Sequence, residues 1–245
     1  MTHIASQQNP RLKALRRLHA KRERERSGTF IVEGEDLVAA AQAAGREPLE
    51  GYRLAGSGLG GAGFHEVERD ALSHVSALGS GTRVLAVYEQ RWLVAPQGPL
   101  CVYLHGVGDP GNVGTIVRAA HAFGASCVAL GPHCADPHSP KAVRASMGAI
   151  FSVPLARARA VADLPGERVA LDAHAAEALR GPIAEIAHEL TLLIGSEREG
   201  LPVEVLGACA RRARIAIEGE SLNAAMAATV ALYEMTRRPS RVPAS

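Results

Sequence analysis

From residue 99 onward the chain alternates short apolar runs with stretches of helical spacing, and no other feature constrains its fold as much. The runs at 100–105, 126–130, 168–172, 190–194 and 213–217 read as strands, and helices are predicted near 113–123, 140–149, 202–210 and 222–237. Strands that alternate with helices build a mostly parallel sheet, so an α/β domain is expected over 97–245. Its last helix carries Leu222, Met226, Val230 and Tyr233 on one face, with Ser221 as the expected N-cap. An apolar stripe of this kind predicts core or a subunit interface.

The first 96 residues read differently. Asn9 and Pro10 announce a helix that runs to Gly28, with Leu12, Leu15 and Leu18 on one side and Lys13, Arg17, Lys21 and Arg24 on the other. A strand at 29–32, an alanine-rich helix at 34–44, a glycine-rich loop at 56–63 and a strand at 83–88 follow, and a proline-flanked stretch at 96–99 marks a domain break. The whole chain carries a formal charge of only +2, yet residues 11–26 hold eight Lys or Arg against two Glu. Concentrated positive charge is what a phosphate-binding surface requires, because each neutralised phosphate releases condensed counterions; a solvated helix face is the alternative.

Apolar stretches stop well short of the roughly 20 residues a membrane helix needs, and residues 1–30 are basic and polar, so a cytoplasmic protein with no membrane partner is expected. Cys101, Cys127, Cys134 and Cys209 lack paired spacing and read as buried reduced thiols. His133, Cys134, Asp136 and His138 are rich in ligand atoms but lie in a proline-rich loop without the spacing of a zinc site, so no metal is expected.

Gly106, Gly108 and Gly111 match the dinucleotide-binding pattern G-x-G-x-x-G after a strand. Two features speak against it. The helix is expected to begin only after Asn112, which leaves Gly111 outside its first turn, and the next strand ends in Gly131-Pro132 rather than in a carboxylate for ribose.

Three other segments place polar residues just beyond strand ends, where open α/β sheets bind ligands. They hold Asn112, Gly114 and Arg118; Leu193, Gly195, Glu197, Gly200 and Leu201; and Ile215, Ser221, Leu222 and Asn223. Taken singly, each has an ordinary explanation as a cap, a solvated carboxylate or an ion-pair partner. Together, the N-x-G-x-x-x-R, G-x-E-x-x-G-L and S-L-N patterns resemble the SpoU (TrmH-like) branch of the SPOUT RNA methyltransferases. Ser139, Lys141, Arg144 and Phe151 lie in a further stretch similar to that family. The segment from Asn9 to Gly34 is similar to the ribosomal-protein-like (L30e-like) substrate-binding domain of its two-domain, 23S ribosomal-RNA members.

The resemblance implies a knotted C-terminal SPOUT domain over 97–245, a deep trefoil knot, an N-terminal RNA-binding domain over 1–96 and a homodimer. It implies transfer of a methyl group from S-adenosylmethionine to a ribose 2′-hydroxyl in structured RNA, most naturally 23S ribosomal RNA. A transfer-RNA substrate or a ribosomal-RNA-binding protein without catalysis are the alternatives. By motif position Gly195, Ile215, Leu222, Leu193 and Gly200 hold the cofactor, Asn112, Arg118, Glu197, Ser221 and Asn223 form the catalytic group, and Lys13, Arg17, Lys21, Arg24 and Arg144 bind RNA. Two departures affect the third motif: Ala216 stands where the family commonly has proline and the loop before Ser221 is short, and Ala224-Ala-Met-Ala227 stands where V-S-V-A is common.

Overall fold

The computed structural model describes residues 2–77, 81–180, 189–219 and 221–237. In chain order the elements are β1 (His3–Ile4), α1 (Pro10–Arg17), α2 (Lys21–Ser27), β2 (Thr29–Glu33), α3 (Glu35–Ala43), β3 (Glu50–Leu54), β4 (His65–Val67), α4 (Arg69–Ser73) and β5 (Val84–Glu89). They continue with β6 (Trp92–Leu93), β7 (Leu100–Leu104), α5 (Pro110–Ala122), β8 (Cys127–Leu130), α6 (Pro140–Ser146), β9 (Leu155–Arg157) and β10 (Glu167–Leu171). After these come β11 (Leu190–Ile194), α7 (Val203–Gly207), β12 (Arg211–Ala213) and α8 (Ala224–Thr236).

Two compact units result, Met1–Arg91 with Asp136–Ser152 and Trp92–Ala135 with Val153–Ser245. The sequence reading has a single cut after residue 96. Trp92-Leu93 already pairs with Leu155 and Ala156 in the second unit's sheet, and the stretch from Asp136 to Ser152 counts with the first.

The first unit is a mixed sheet in the order β1-β4-β3-β5-β2, antiparallel where β5 meets β3 and β2 and parallel elsewhere. Leu12 and Leu15 of α1 bury against Ile4, Tyr52, Val67, Leu72 and Leu85, as their spacing predicts. The expected single helix over 10–27 is two. Arg24, expected on the basic outer face, is 3% exposed instead. It donates to the Leu18 and His19 carbonyls at 2.7 and 2.8 Å and pairs with Asp136 at 2.7 Å, so it caps the end of α1 and its charge is already satisfied. Lys13, Arg17 and Lys21 remain exposed.

The partner of Arg24 comes from the stretch 136–152. Within this unit α6 packs on β2, Phe151 lies 5.0 Å from Tyr88 between ring centroids, and His138 lies 4.7 Å from Phe30. At Gly148, with φ of +90°, a methyl group would fall 2.4 Å from Cβ of Ala40, so only glycine lets the turn after α6 approach α3.

The second unit is a seven-stranded sheet, β12-β10-β11-β7-β8-β9-β6, parallel at every pairing. Its central strands, with sequences such as LCVYL and LTLLI, are buried nearly throughout, which is what a sheet covered on both faces demands. The expected strand over 213–217 is the edge strand Arg211–Ala213, which leaves Ile215 and Ile217 beyond its carboxyl end. Cys101 and Cys127 are buried free thiols, while Cys134 and Cys209 are half-buried.

Two helix starts differ from expectation. The Asp109 carboxylate accepts from the Asn112 backbone N–H at 3.0 Å, so α5 begins at Pro110 and Gly111 does lie in its first turn. The missing carboxylate after β8 is then the remaining objection to dinucleotide binding. The cap of α8 is Asn223 rather than Ser221, accepting from Ala225 and Met226 N–H at 2.9 and 3.3 Å. On α8 the buried side chains are Ala224, Ala225, Ala228, Ala231, Leu232 and Met235, and this small-residue face packs on α5. Met226, Val230 and Tyr233 of the expected stripe are exposed. Among the described residues no helix is long and apolar enough to cross a membrane.

Candidate active site

The carboxyl ends of β10, β11 and β12 and the start of α8 enclose a cavity of about 470 Å³, within the range of small-molecule sites. The loop after β11 forms one wall. Ser196 and Gly200 exchange reciprocal backbone hydrogen bonds of 3.1 Å, which fold 196–200 back on itself. Gly195 must be glycine, because a methyl group there would lie 2.2 Å from the Gly200 carbonyl carbon.

Behind a second wall the Arg214 side chain donates to the Ala175 carbonyl at 2.7 Å and also to that of Ala176, while its backbone N–H donates to the Glu177 carbonyl at 2.9 Å. This ties the stretch after β10 to the one after β12. Apolar Leu201, Leu206, Ile215, Ile217 and Leu222 share the lining with the carboxylates of Asp172, Glu197 and Glu199.

At the edge of this cavity the three sequence motifs converge. The Asn112 Nδ2 donates to Glu197 Oε1, and Asn223 Nδ2 donates to Asn112 Oδ1 at 3.0 Å. Asn223 in turn is fixed by capping α8. The amide of Asn112 therefore has a set orientation, with one N–H and one lone pair of its side chain still available. The two asparagines sit at the starts of α5 and α8, and Phe123 and Tyr233 meet edge-on at 6.3 Å near the opposite ends, so the helices run parallel.

Of the expected cofactor residues, Gly195, Gly200, Ile215 and Leu222 line the cavity, as do Glu197 and Ser221. Leu193 does not. It packs in the core with Cys101 and Tyr103, and the alternation of side chains along β11 gives the lining position to Ile194. Arg118 is exposed on α5 and makes no hydrogen bond or ion pair with a described residue. Asp172 and His174, at the end of β10, are lining residues that the motifs did not single out. The same strand-end rule that drew attention to the other loops would have found them.

His105, directly after β7, accepts from or donates to the Tyr103 hydroxyl through Nδ1 at 3.0 Å; burial first, then the neighbouring His133, lowers its pKa. Among the described residues no group of three His, Cys, Asp or Glu is placed to hold a metal ion. Asp136 is committed to Arg24, and the Cys134 thiol donates to the Leu104 carbonyl.

A parallel sheet with a cofactor-sized cavity at its carboxyl edge, and a hydrogen-bonded set of amide and carboxylate side chains beside it, defines an α/β protein with a small-molecule site at its strand ends. Comparison with known proteins fixes its class: an S-adenosylmethionine-dependent RNA 2′-O-ribose methyltransferase. Residues 99–233 match the SpoU rRNA methylase family, residues 9–86 match an MRM3-like substrate-binding domain, and the chain belongs to the SpoU family.

The 23S rRNA (guanosine(2553)-2′-O)-methyltransferase RlmP of Bacillus subtilis is 30% identical over 96% of this chain and 99% of its own. The AdoMet-bound rRNA methyltransferase from Sinorhizobium meliloti superposes with a TM-score of 0.83 at 32% identity, covering 95% of this chain and 96% of its own. The SpoU methyltransferase AviRb from Streptomyces viridochromogenes, in complex with AdoMet, gives 0.77 at 27% identity over 93% and 97%.

The cavity suits S-adenosylmethionine on its own chemistry. Carboxylates and the cations Arg198 and Arg214 both line it, which matches a zwitterionic ligand, its apolar wall accepts a purine, and its glycine loop presents backbone to the ligand.

Proposed function

We propose that the chain methylates a ribose 2′-hydroxyl of 23S ribosomal RNA in the cytoplasm, as a homodimer in which each active site uses Arg118 of the other subunit. The observation that carries the site assignment is the hydrogen-bonded chain from Asn223 through Asn112 to Glu197 at the cavity edge. Bound S-adenosylmethionine supplies an electrophilic methyl group, and Gly195, Gly200, Ile215 and Leu222 would hold it.

A ribose hydroxyl is a weak nucleophile, so the protein's task is to orient it and to stabilise charge as its proton leaves. Asn112, with its amide already oriented, offers a free N–H or lone pair to the ribose. Glu197 keeps Asn112 in that orientation. Arg118 lies six residues further along α5, about 9 Å in helix rise and on another face, so it does not serve the same point as Asn112 within one chain. Exposure and the absence of a partner among the described residues support its use across a subunit interface. Its guanidinium stays charged and acts on the RNA phosphate as an orienting cation.

The exposed Met226, Val230 and Tyr233 stripe on α8, parallel to α5, supports the dimer contact. Family membership supports the trefoil knot in the second unit and the L30e-like ancestry of the first. Lys13, Arg17 and Lys21, the last in a 3.9 Å surface pair with Glu25, and Arg144 on α6 are among the exposed cations of the first unit that can meet RNA phosphates. Similar proteins are named for different nucleotides, guanosine 2553 in one and uridine 2479 in another, so the modified ribose is assigned by experiment.

Asn112→Ala and Arg118→Ala are expected to keep S-adenosylmethionine binding by calorimetry and to abolish 2′-O-methylation of a 23S transcript mapped by primer extension. Full activity in either would remove that residue from the site.

A further inference from the structure

The first unit contains a second cavity of about 460 Å³, bounded by the end of α3, the turn before β3 and the glycine-rich stretch before β4. Arg46 lines it, 9% exposed. One of its N–H groups donates to the Glu89 carbonyl at 2.8 Å, and its guanidinium carbon lies 5.9 Å from the Phe151 ring centroid. Among the described residues no carboxylate stands within ion-pair distance of it.

The contrast with Arg24 is instructive, since both side chains are buried in the same unit. Arg24 has Asp136 and two carbonyls; Arg46 has one carbonyl and an aromatic face. A buried guanidinium without a counter-charge is costly. Burial and the nearby Arg91 both press its pKa below the ordinary arginine value. Glu50, also at the cavity, does not relieve it, because that carboxylate already pairs with Arg11 at 3.2 Å and accepts from the Tyr52 hydroxyl. Arg46 is thus a buried cation without an ion pair among the described residues, although the Glu89 carboxylate acts on it electrostatically and the exposed Glu47 lies at the same cavity.

Its remaining walls suit a base. The Phe64 ring, 5% exposed, packs against Gly51 and Gly60, where added methyl groups would lie 2.4 and 2.5 Å from it, and gives the cavity an apolar wall; Gln42 brings an exposed amide with both donor and acceptor. Sequence-selective RNA recognition works on unstacked nucleotides, held by an aromatic or apolar surface, an edge-reading polar group and a phosphate contact. We infer that this cavity receives one unpaired nucleotide of the RNA substrate, its phosphate on Arg46 and its base beside Gln42 and Phe64. The inference rests on the chain acting on 23S ribosomal RNA.

The test uses the full-length protein and an unmodified 23S transcript. Ala62→Trp places a large side chain at the exposed rim of the cavity, outside the packed core. It is expected to weaken transcript binding by about tenfold or more, the scale of losing one bound base, with S-adenosylmethionine affinity and thermal midpoint unchanged. Arg46→Gln should weaken binding similarly and lower the salt slope by about one contact's worth, while Arg46→Lys keeps the slope.

If Ala62→Trp binds the transcript within about twofold of the parent protein, the base-binding cavity is refuted while the 23S assignment stands. If the parent protein neither binds nor methylates the transcript, the 23S assignment fails and this inference falls with it.

Discussion

Adding one methyl group at Gly195 should separate a cofactor wall from a merely structural turn. Cβ built there lies 2.2 Å from the carbonyl carbon of Gly200, 2.4 Å from its oxygen and 2.5 Å from the Leu201 nitrogen. Comfortable carbon contacts begin at about 3.5 Å, so the 200–201 backbone has to retreat by roughly an ångström. It is clamped by the paired 3.1 Å bonds between Ser196 and Gly200, and at least one of these must open.

Overpacking of this kind costs about 1–3 kcal/mol. If the wall belongs to the S-adenosylmethionine site, about 2 kcal/mol appears as a roughly 30-fold weaker Kd. Gly200→Ala is the control. Its φ of +67° strains an alanine by about 1–2 kcal/mol, but nothing lies within 4 Å of the added methyl, so the wall itself is not pushed. Titration calorimetry on both variants, with thermal midpoints measured in parallel, should rank Gly195→Ala as the weaker binder. Two results would refute the reasoning: a Gly195→Ala protein that binds within about twofold of the parent, or one whose midpoint falls while its affinity is kept.

Arg24→Met leaves the Asp136 carboxylate buried without its counter-charge and uncaps α1, so urea unfolding should show a loss of about 3–5 kcal/mol. Unchanged stability would return Arg24 to the RNA-binding face. Val230→Asp, on the exposed stripe of α8, should yield monomers in light scattering and lose methylation with the cofactor site intact; a stable, active dimer would place the interface elsewhere. The folded pKa of His105 lies below its ordinary 6.5, so its stabilising contribution is full above that value and is lost as pH falls through the lowered one. Acid titration of stability should therefore be shallower in His105→Asn, and an unaltered curve would exclude it.

Elements whose signals are local were legible in the sequence. The apolar strands of the parallel sheet, the Asn9-Pro10 helix start and the glycine loop before β4 follow from residue type and spacing alone. Breaking the first helix needs Arg24 and Asp136, which are 112 residues apart, and no local pattern carries that. On α8 the stripe of larger side chains reads as core or a subunit interface, whereas the buried face is made of four alanines with Leu232 and Met235, a pattern too weak in hydrophobic contrast to stand out. At the site the motifs were visible, but the convergence of Asn112 with Glu197 and Asn223 spans 85 and 111 residues and only the sheet order produces it. Leu193 and Ile194 are equally apolar, so the strand's alternation could not be phased from sequence.

The stretch 136–152 bears on how such a chain could be built or dismantled over evolution. Because it is strung between β8 and β9 yet folds with the first unit, the polypeptide passes between the two units three times, at 91/92, 135/136 and 152/153. A domain hung on one linker can be acquired or shed by a single recombination event. Here, deleting residues 1–91 would strip Phe151 and His138 of Phe30 and Tyr88, leaving apolar side chains bare in the middle of the remaining gene product. Gain or loss of the first unit would thus have to be accompanied by rewriting an internal loop.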